Sequence, residues 1–406
     1  IHPYVEGTFA FQNLWAPHNE HRILPTRLTG LFLFETTGEW NNLNSARFNA
    51  LLAAILAAFM VWVPTRSVVS RRLTWMLAAV VTASFSLPYA WENFLVGFQS
   101  QFYYLLLFTV AASAIAAWRP GDARAVLGVF AISLVAVLTM ASGLLTPIAA
   151  AGVYILGRYA RRSRMPSVEI VGVILLVAMA LIAYGTTPVV PGHAPLRAQG
   201  VVEMLDAATH MLGFPISGYH WAFLWLWLPG ACGLAARILR RRLDTHDLIM
   251  AALLGWSTVQ GVAIAYGRGM GLIEVPSRYT ELMTPGLIAS AWFIMRAVEL
   301  DWRSSTMRAL AWFGCIGMLT AFFGSHALRL QGDVEAMRAR HALSQVQAHN
   351  VRQYLETGDP TALQQPFLHI PYPSAERLQG LLDTPALRDH LPEDVRGAAT
   401  SDAQTP

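Results

Sequence analysis

Residues 46–64 read ARFNALLAAILAAFMVWVP, nearly uncharged after Arg47, and residues 65–72 that follow read TRSVVSRR. A hydrocarbon core about 30 Å thick is crossed by roughly 20 apolar helical residues. The stretch therefore has the make-up of a spanning helix closed by a basic cluster. The pattern recurs at about 72–90, 100–118, 124–140, 144–159, 168–186, 219–237, 246–266, 279–297 and 306–325. These runs are continuous and do not alternate with period two, which excludes a closed β-barrel. Composition agrees, with 54% hydrophobic and 13% charged residues against about 25% charged in soluble domains. The expected fold class is an all-α polytopic membrane protein with about ten transmembrane helices.

The formal net charge of +4 comes from arginine alone, because the chain holds no lysine. A basic balance can serve nucleic acid, but here the arginines sit at the ends of the apolar runs, so no nucleic-acid partner is expected. Every second loop is arginine-rich: Arg66, Arg71 and Arg72; Arg119 and Arg124; Arg158, Arg161, Arg162 and Arg164; Arg237, Arg240, Arg241 and Arg242; Arg296, Arg303 and Arg308. Short cytoplasmic loops carry this bias, so the rich set is assigned to the cytoplasm. Residues 1–45, the loop 187–218 and the segment 327–406 then lie outside. An outer N-terminal stretch with no signal in view implies a further span ahead of Ile1. Cys232 and Cys315 fall inside spans and are expected to stay unpaired.

The outer segments carry structure of their own. Leu28, Leu31, Phe32, Leu33 and Phe34 within 27–40, and Val202, Met204, Leu205, Ala208 and Leu212 within 201–214, read as two interfacial helices. Residues 331–356 read as an amphipathic helix, followed by short helices near 374–382 and 384–391 and a disordered end from about Gly397. The domain plan is thus an outer first loop over 1–45, a bundle over 46–326 and a small outer helical tail over 327–406.

Polar chemistry gathers on the outer side. His18-Asn19-Glu20-His21-Arg22 sets a carboxylate between two imidazoles. Such a carboxylate can act as a general base oriented by histidine, can ligate a metal, or can belong to a solvated capping loop. The spacing is not that of HExxH, so no metal is assigned. Trp91-Glu92-Asn93 leads to Gly97-Phe98-Gln99-Ser100-Gln101, whose two glutamines offer amide groups of the kind that read sugar hydroxyls, or that cap a helix. Arg268 in YGRG and Arg278-Tyr279 in SRY break the low-arginine rule on this side, and a guanidinium fork pairs with phosphate or a lipid headgroup. His193, His210 and His220 read as isolated surface or packing residues. The spans hold almost no ionisable group; Glu169 and Asp247 sit close to the cytoplasmic ends. Ion-coupled transporters place such groups near the midplane, so an enzyme at the membrane surface is favoured over a pump.

NLWxxHNEHR before the first long span, WENxxxGFQxQ after the second, and the later YGRG and SRY resemble a group of bacterial polytopic proteins similar to GT-C-type glycosyltransferases. The resemblance covers roughly 13–290. It implies a GT-C-like fold and sugar transfer, with inversion, from a polyprenyl-phosphate carrier at the periplasmic face of the bacterial inner membrane, in cell-envelope synthesis. By that resemblance Glu20 is the base that deprotonates the acceptor, with His18 and His21 orienting it. Arg278 and Arg268 hold the donor phosphate, and Arg22, Glu92, Gln99, Gln101 and Tyr279 complete the substrate site. The partners implied are the lipid-linked sugar, a glycan, lipid or protein acceptor, and membrane lipids. Many such enzymes carry an Asp in the first-loop signature where this chain has Asn19-Glu20, which leaves the base and any divalent-metal requirement open. A lipid-linked polysaccharide ligase or polymerase, and a flippase without covalent chemistry, are the competing readings.

Overall fold

The computed structural model describes residues 1–66, 70–216, 218–300, 302, 304–366 and 368–396, and every regular element among them is a helix. The first are short: α1 (His2–Val5) and α2 (Phe11–Trp15). Then α3 (Leu24–Thr37), the expected helix of the first loop, exposes Leu28 and Phe32 and buries Phe34. It stops where Gly38 turns left-handed at φ 69°. Side-chain caps start the next helices. Asn41 accepts from the Leu43 N–H for α4 (Asn42–Thr65), and Ser70 from the Leu73 N–H for α5 (Arg71–Ser86). A 3-10 turn Pro88–Ala90 leads to α6 (Trp91–Leu95), and a second, Gly97–Gln99, to α7 (Ser100–Trp118). Asp122 caps α8 (Ala123–Val137); α9 (Leu145–Arg161) and α10 (Ser167–Gly185) follow.

The loop 187–218 holds a 3-10 turn, Pro191–Leu196, and α11 (Val201–Gly213), whose Val201, Val202 and Leu205 are exposed as an interfacial helix requires. Next come α12 (Ala222–Leu226) and α13 (Leu228–Leu239), then α14 (Thr245–Arg268), α15 (Ser277–Val298), α16 (Ser305–Thr357), α17 (Ala375–Leu382), α18 (Pro385–Arg388) and α19 (Glu393–Arg396).

Seven segments are long and apolar enough to cross a membrane: 42–65, 71–95, 97–118, 141–161, 167–185, 245–268 and the first part of 305–357. This is the build of an α-helical polytopic membrane protein. The other three expected spans differ in form. Residues 123–137 and 228–239 are shorter apolar helices. The run 219–237 breaks near Trp227 because Pro229 has no N–H to continue α12 and instead sits in the first turn of α13. The third, α15, is the most enclosed helix, with Trp292, Ala289 and Ser290 all fully buried.

Two glycines let α13 lie directly on α15. A Cβ at Gly230 would come within 2.4 Å of the Ser290 Cα, and one at Gly233 within 2.5 Å of the Phe293 carbonyl oxygen. Small residues at such crossings bring backbones together where no hydrophobic drive operates between helices.

The tail departs from expectation. Residues 331–356 do not form a separate helix; they continue the last span as part of α16, 53 residues in one piece and so about 80 Å long. Gly332 alone, costing about 1 kcal/mol in a helix interior, does not break it. Val351 and Tyr354 near its end join Leu363, Leu378, Leu382 and Leu391 in a small separate core. This unit returns to the first loop: the Trp40 N–H donates to the His390 carbonyl at 2.7 Å, and the His390 ring lies 4.8 Å from Phe34. The expected disorder from Gly397, like Arg303, lies outside the described residues. Cys232 and Cys315 are unpaired.

Candidate functional site

The HNEHR segment folds on itself. The His18 N–H donates to the His21 carbonyl at 2.6 Å and the His21 N–H to the His18 carbonyl at 3.0 Å. Asn19, left-handed at φ 53°, closes this tight turn, a conformation Asn tolerates better than most residues. Two contacts seat the turn on the bundle. The Leu24 N–H donates to the Leu138 carbonyl at 2.9 Å, and the His21 Nδ1 accepts the Ala141 N–H at 3.2 Å.

Glu20 lies within this turn. Its Oε1 accepts from Arg268 Nη2 at 3.0 Å and is also met by the His193 Nδ1, while Arg268 Nη2 and His193 Nδ1 stand 2.9 Å apart. No side chain among the described residues reaches Oε2. Arg268 ends α14. His193 is brought beside it because its 3-10 turn is pinned to that helix end, by the Ala198 N–H on the Tyr266 carbonyl at 3.1 Å and the Met270 N–H on the Leu196 carbonyl at 3.2 Å. The three side chains remain 22–25% exposed. The hydrogen bond from His193 and the Arg268 charge outweigh the opposing effect of burial and hold the Glu20 carboxyl below its ordinary range. Glu20 is therefore ionised at neutral pH.

The imidazole on Glu20 is thus His193, which the sequence reading set aside, and not His18 or His21. The His18 ring packs on Phe98 at 5.4 Å. Burial, then the charge of Arg27, lower its pKa. His21 is pushed down to about 4, chiefly by burial; it stays neutral at pH 7, with Nδ1 acting as an acceptor. Arg22 is turned away, stacked over Trp15 at 5.3 Å and bonded to its carbonyl at 3.2 Å.

A second cluster joins α6 to the start of α15. The Arg278 N–H and guanidinium donate to Glu92 at 3.0 and 3.4 Å, and the Glu92 N–H donates to Ser277 Oγ at 3.1 Å. Arg278 lies over the Tyr279 ring at 5.0 Å and keeps 41% of its side chain exposed. One turn deeper sits Glu281, fully buried, accepting from Asn93 Nδ2 at 2.9 Å with Tyr103 beside it. The sequence reading missed Glu281; its spacing after SRY, one helical turn below Arg278, was the available signal.

Gln99 and Gln101 are not an open sugar-reading pair. They are 6% and 3% exposed and bond to each other at 3.2 Å. The 3-10 turn before Ser100 directs them inward, beside Ser100, which donates to Thr26 at 2.9 Å. Arg268 is paired with Glu20 and Arg278 with Glu92, and of the two guanidinium groups Arg278 is the more exposed, 41% against 25%. Glu20 is not part of a group of three metal-ligating side chains among the described residues. Such a group occurs at Asp206, His210 and His220, whose ligand atoms lie within 4.8 Å of one another. Trp75, Ala79, Thr82, Ser86 and Leu87, along α5 and at its end, line a shallow, open and mainly apolar surface depression. No protein-family model, curated protein or solved structure matches the chain.

Proposed function

We propose that the protein is a membrane glycosyltransferase that moves a sugar from a polyprenyl-phosphate carrier to an acceptor hydroxyl at the periplasmic face, with inversion. The carrying observation is Glu20, an ionised and partly exposed carboxylate with one oxygen held by His193 and Arg268 and the other without a side-chain partner among the described residues. In this reading the acceptor oxygen attacks the anomeric carbon and the bond from that carbon to the phosphate oxygen breaks. Glu20 Oε2 takes the acceptor proton, and the electron pair leaves on the carrier phosphate. A carboxylate held below its ordinary range is a weak base, so it suits a hydroxyl whose proton becomes acidic only as the new bond forms. Inversion requires the base and the leaving group on opposite sides of the sugar; in this reading Glu20 serves the acceptor side and Arg278 the leaving phosphate.

Glu281 is the observation that favours a transporter, since buried intramembrane carboxylates mark ion paths. It lies only four residues inside α15, about 6 Å from the helix start, which places it with the Arg278 cluster more than at a midplane site. The test is carrier release by the purified full-length protein offered a pool of polyprenyl-phosphate sugars with native membrane acceptors. Wild type is expected to release carrier phosphate and Glu20→Gln to lose release. Absence of release from every donor by folded wild-type protein sinks the proposal.

A further inference from the structure

Asp206 and His210 sit four residues apart on α11 and therefore on one face. The chain turns after Gly213 and brings His220 back against them. The His220 Nδ1 lies 3.0 Å from Asp206 Oδ1, and its ring centroid is 4.4 Å from that of His210. The ligand atoms of all three residues lie within 4.8 Å of one another. Ligands about 2 Å from a tetrahedral ion stand about 3.3 Å apart, so the set draws together by up to about 1.5 Å to hold one. Two details point to a ligand more than to a solvated cluster. The His210 Nε2 is 4.0 Å from Asp206 Oδ2, too long for a hydrogen bond and comparable to the gap across a shared ion. His210 is also 95% buried, being 5% exposed, yet its Nδ1 has no partner. Buried side-chain nitrogens ordinarily have a partner.

We propose that Asp206, His210 and His220 bind one divalent transition-metal ion of the zinc class, at a site separate from Glu20. Two imidazoles and one carboxylate suit zinc over magnesium or calcium, which prefer all-oxygen sets. Asp206 and His220 are about half exposed, so the fourth position opens to water. The ion clasps the segment after Gly213 onto α11. That helix also steadies the Arg268 end of α14, where Glu203 Oε1 accepts the Gly271 N–H at 3.4 Å.

The experiment is a titration of chelator-treated full-length protein in detergent with Co²⁺, read by visible absorption, and then with Zn²⁺, read by bound metal per chain. One Co²⁺ per chain, with a low-coordination ligand-field spectrum displaced by Zn²⁺ and not by Mg²⁺, is expected. His210→Ala and His220→Ala should each weaken binding by more than about 100-fold. Glu20→Gln and His193→Ala should leave it unchanged. No stoichiometric Co²⁺ or Zn²⁺ uptake by folded wild type overturns the site, as does uptake that survives His210→Ala together with His220→Ala. Because variants can misfold, the wild-type titration also includes thermal unfolding, which Zn²⁺ should shift upward.

Discussion

Both ends of the bundle pair arginine with carboxylate, but they do so differently. At the arginine-rich end, Arg158 Nε donates to Glu169 at 2.7 Å, and Arg237 Nε donates to Asp247 at 2.7 Å. Both carboxylates are fully buried. Asp247 also accepts from Trp292 Nε1 and from the Asp244 N–H, so both of its oxygens are occupied. At the opposite end Glu20 has both side-chain partners on a single oxygen and is about a fifth exposed. Glu92 and Arg278 are more open still. The same residue types thus act as scaffold where every lone pair is used, and as a candidate site where some are left to a ligand.

The largest effects should separate the two ends by kind. Glu20→Gln is expected to lower transfer by about 10²–10⁴-fold, the range for loss of a general base, with only a modest fall in melting temperature at neutral pH from the lost, partly exposed pair with Arg268. Asp247→Ala should do the reverse. It strands Arg237 in a buried place and should cost about 3–5 kcal/mol of stability, seen as lower yield and melting temperature. A Glu20 variant that melts like the Asp247 variant would erase the contrast and make Glu20 a structural residue.

An intermediate effect sharpens the comparison within the open end. Arg278→Ala should weaken donor binding by about 10–100-fold, as loss of a charge-assisted pair worth about 1.5–3 kcal/mol implies. Arg278→Lys should recover part of it, since lysine keeps the charge and loses the fork. Donor affinity measured directly on both variants decides this, and unchanged affinity in Arg278→Ala removes Arg278 from the phosphate position.

The membrane fold was legible because spans are written as continuous runs, and composition alone finds them. The helix ends were less so. Pro229 divides a run that reads as one span, and the helix runs unbroken through 326–330, where two helices read as separate. At the site, Glu20, Arg268, Glu92 and Arg278 were legible as polar residues out of place near apolar runs. His193 was not. It reaches Glu20 across 173 positions of chain, and only the backbone pairing of its turn with residues 266–270 brings it there. Gln99 and Gln101 misled for a related reason: their spacing was visible, but the 3-10 turn that buries them was not.

The smallest expected effect concerns how the Glu20 turn is held. His21 is pinned neutral at the seam with Ala141, with its pKa lowered to about 4, against about 6.5 in an unfolded chain. The unfolded chain therefore binds the extra proton first as pH falls. The contribution is complete above about pH 6.5 and fades toward pH 4, by at most about 3 kcal/mol. Glu20 adds the same sign at lower pH. Its depressed carboxyl stabilises the fold above the ordinary carboxylate range, about 4.3, and that stabilisation fades below it. His21→Asn retains an acceptor for the Ala141 N–H without a titrating ring. It should flatten stability between pH 6.5 and 4 while leaving the fall below 4.3 in place. Thermal unfolding across that range tests it, and a His21→Asn profile that parallels wild type would mean that the seam is not what ties the Glu20 turn to the bundle.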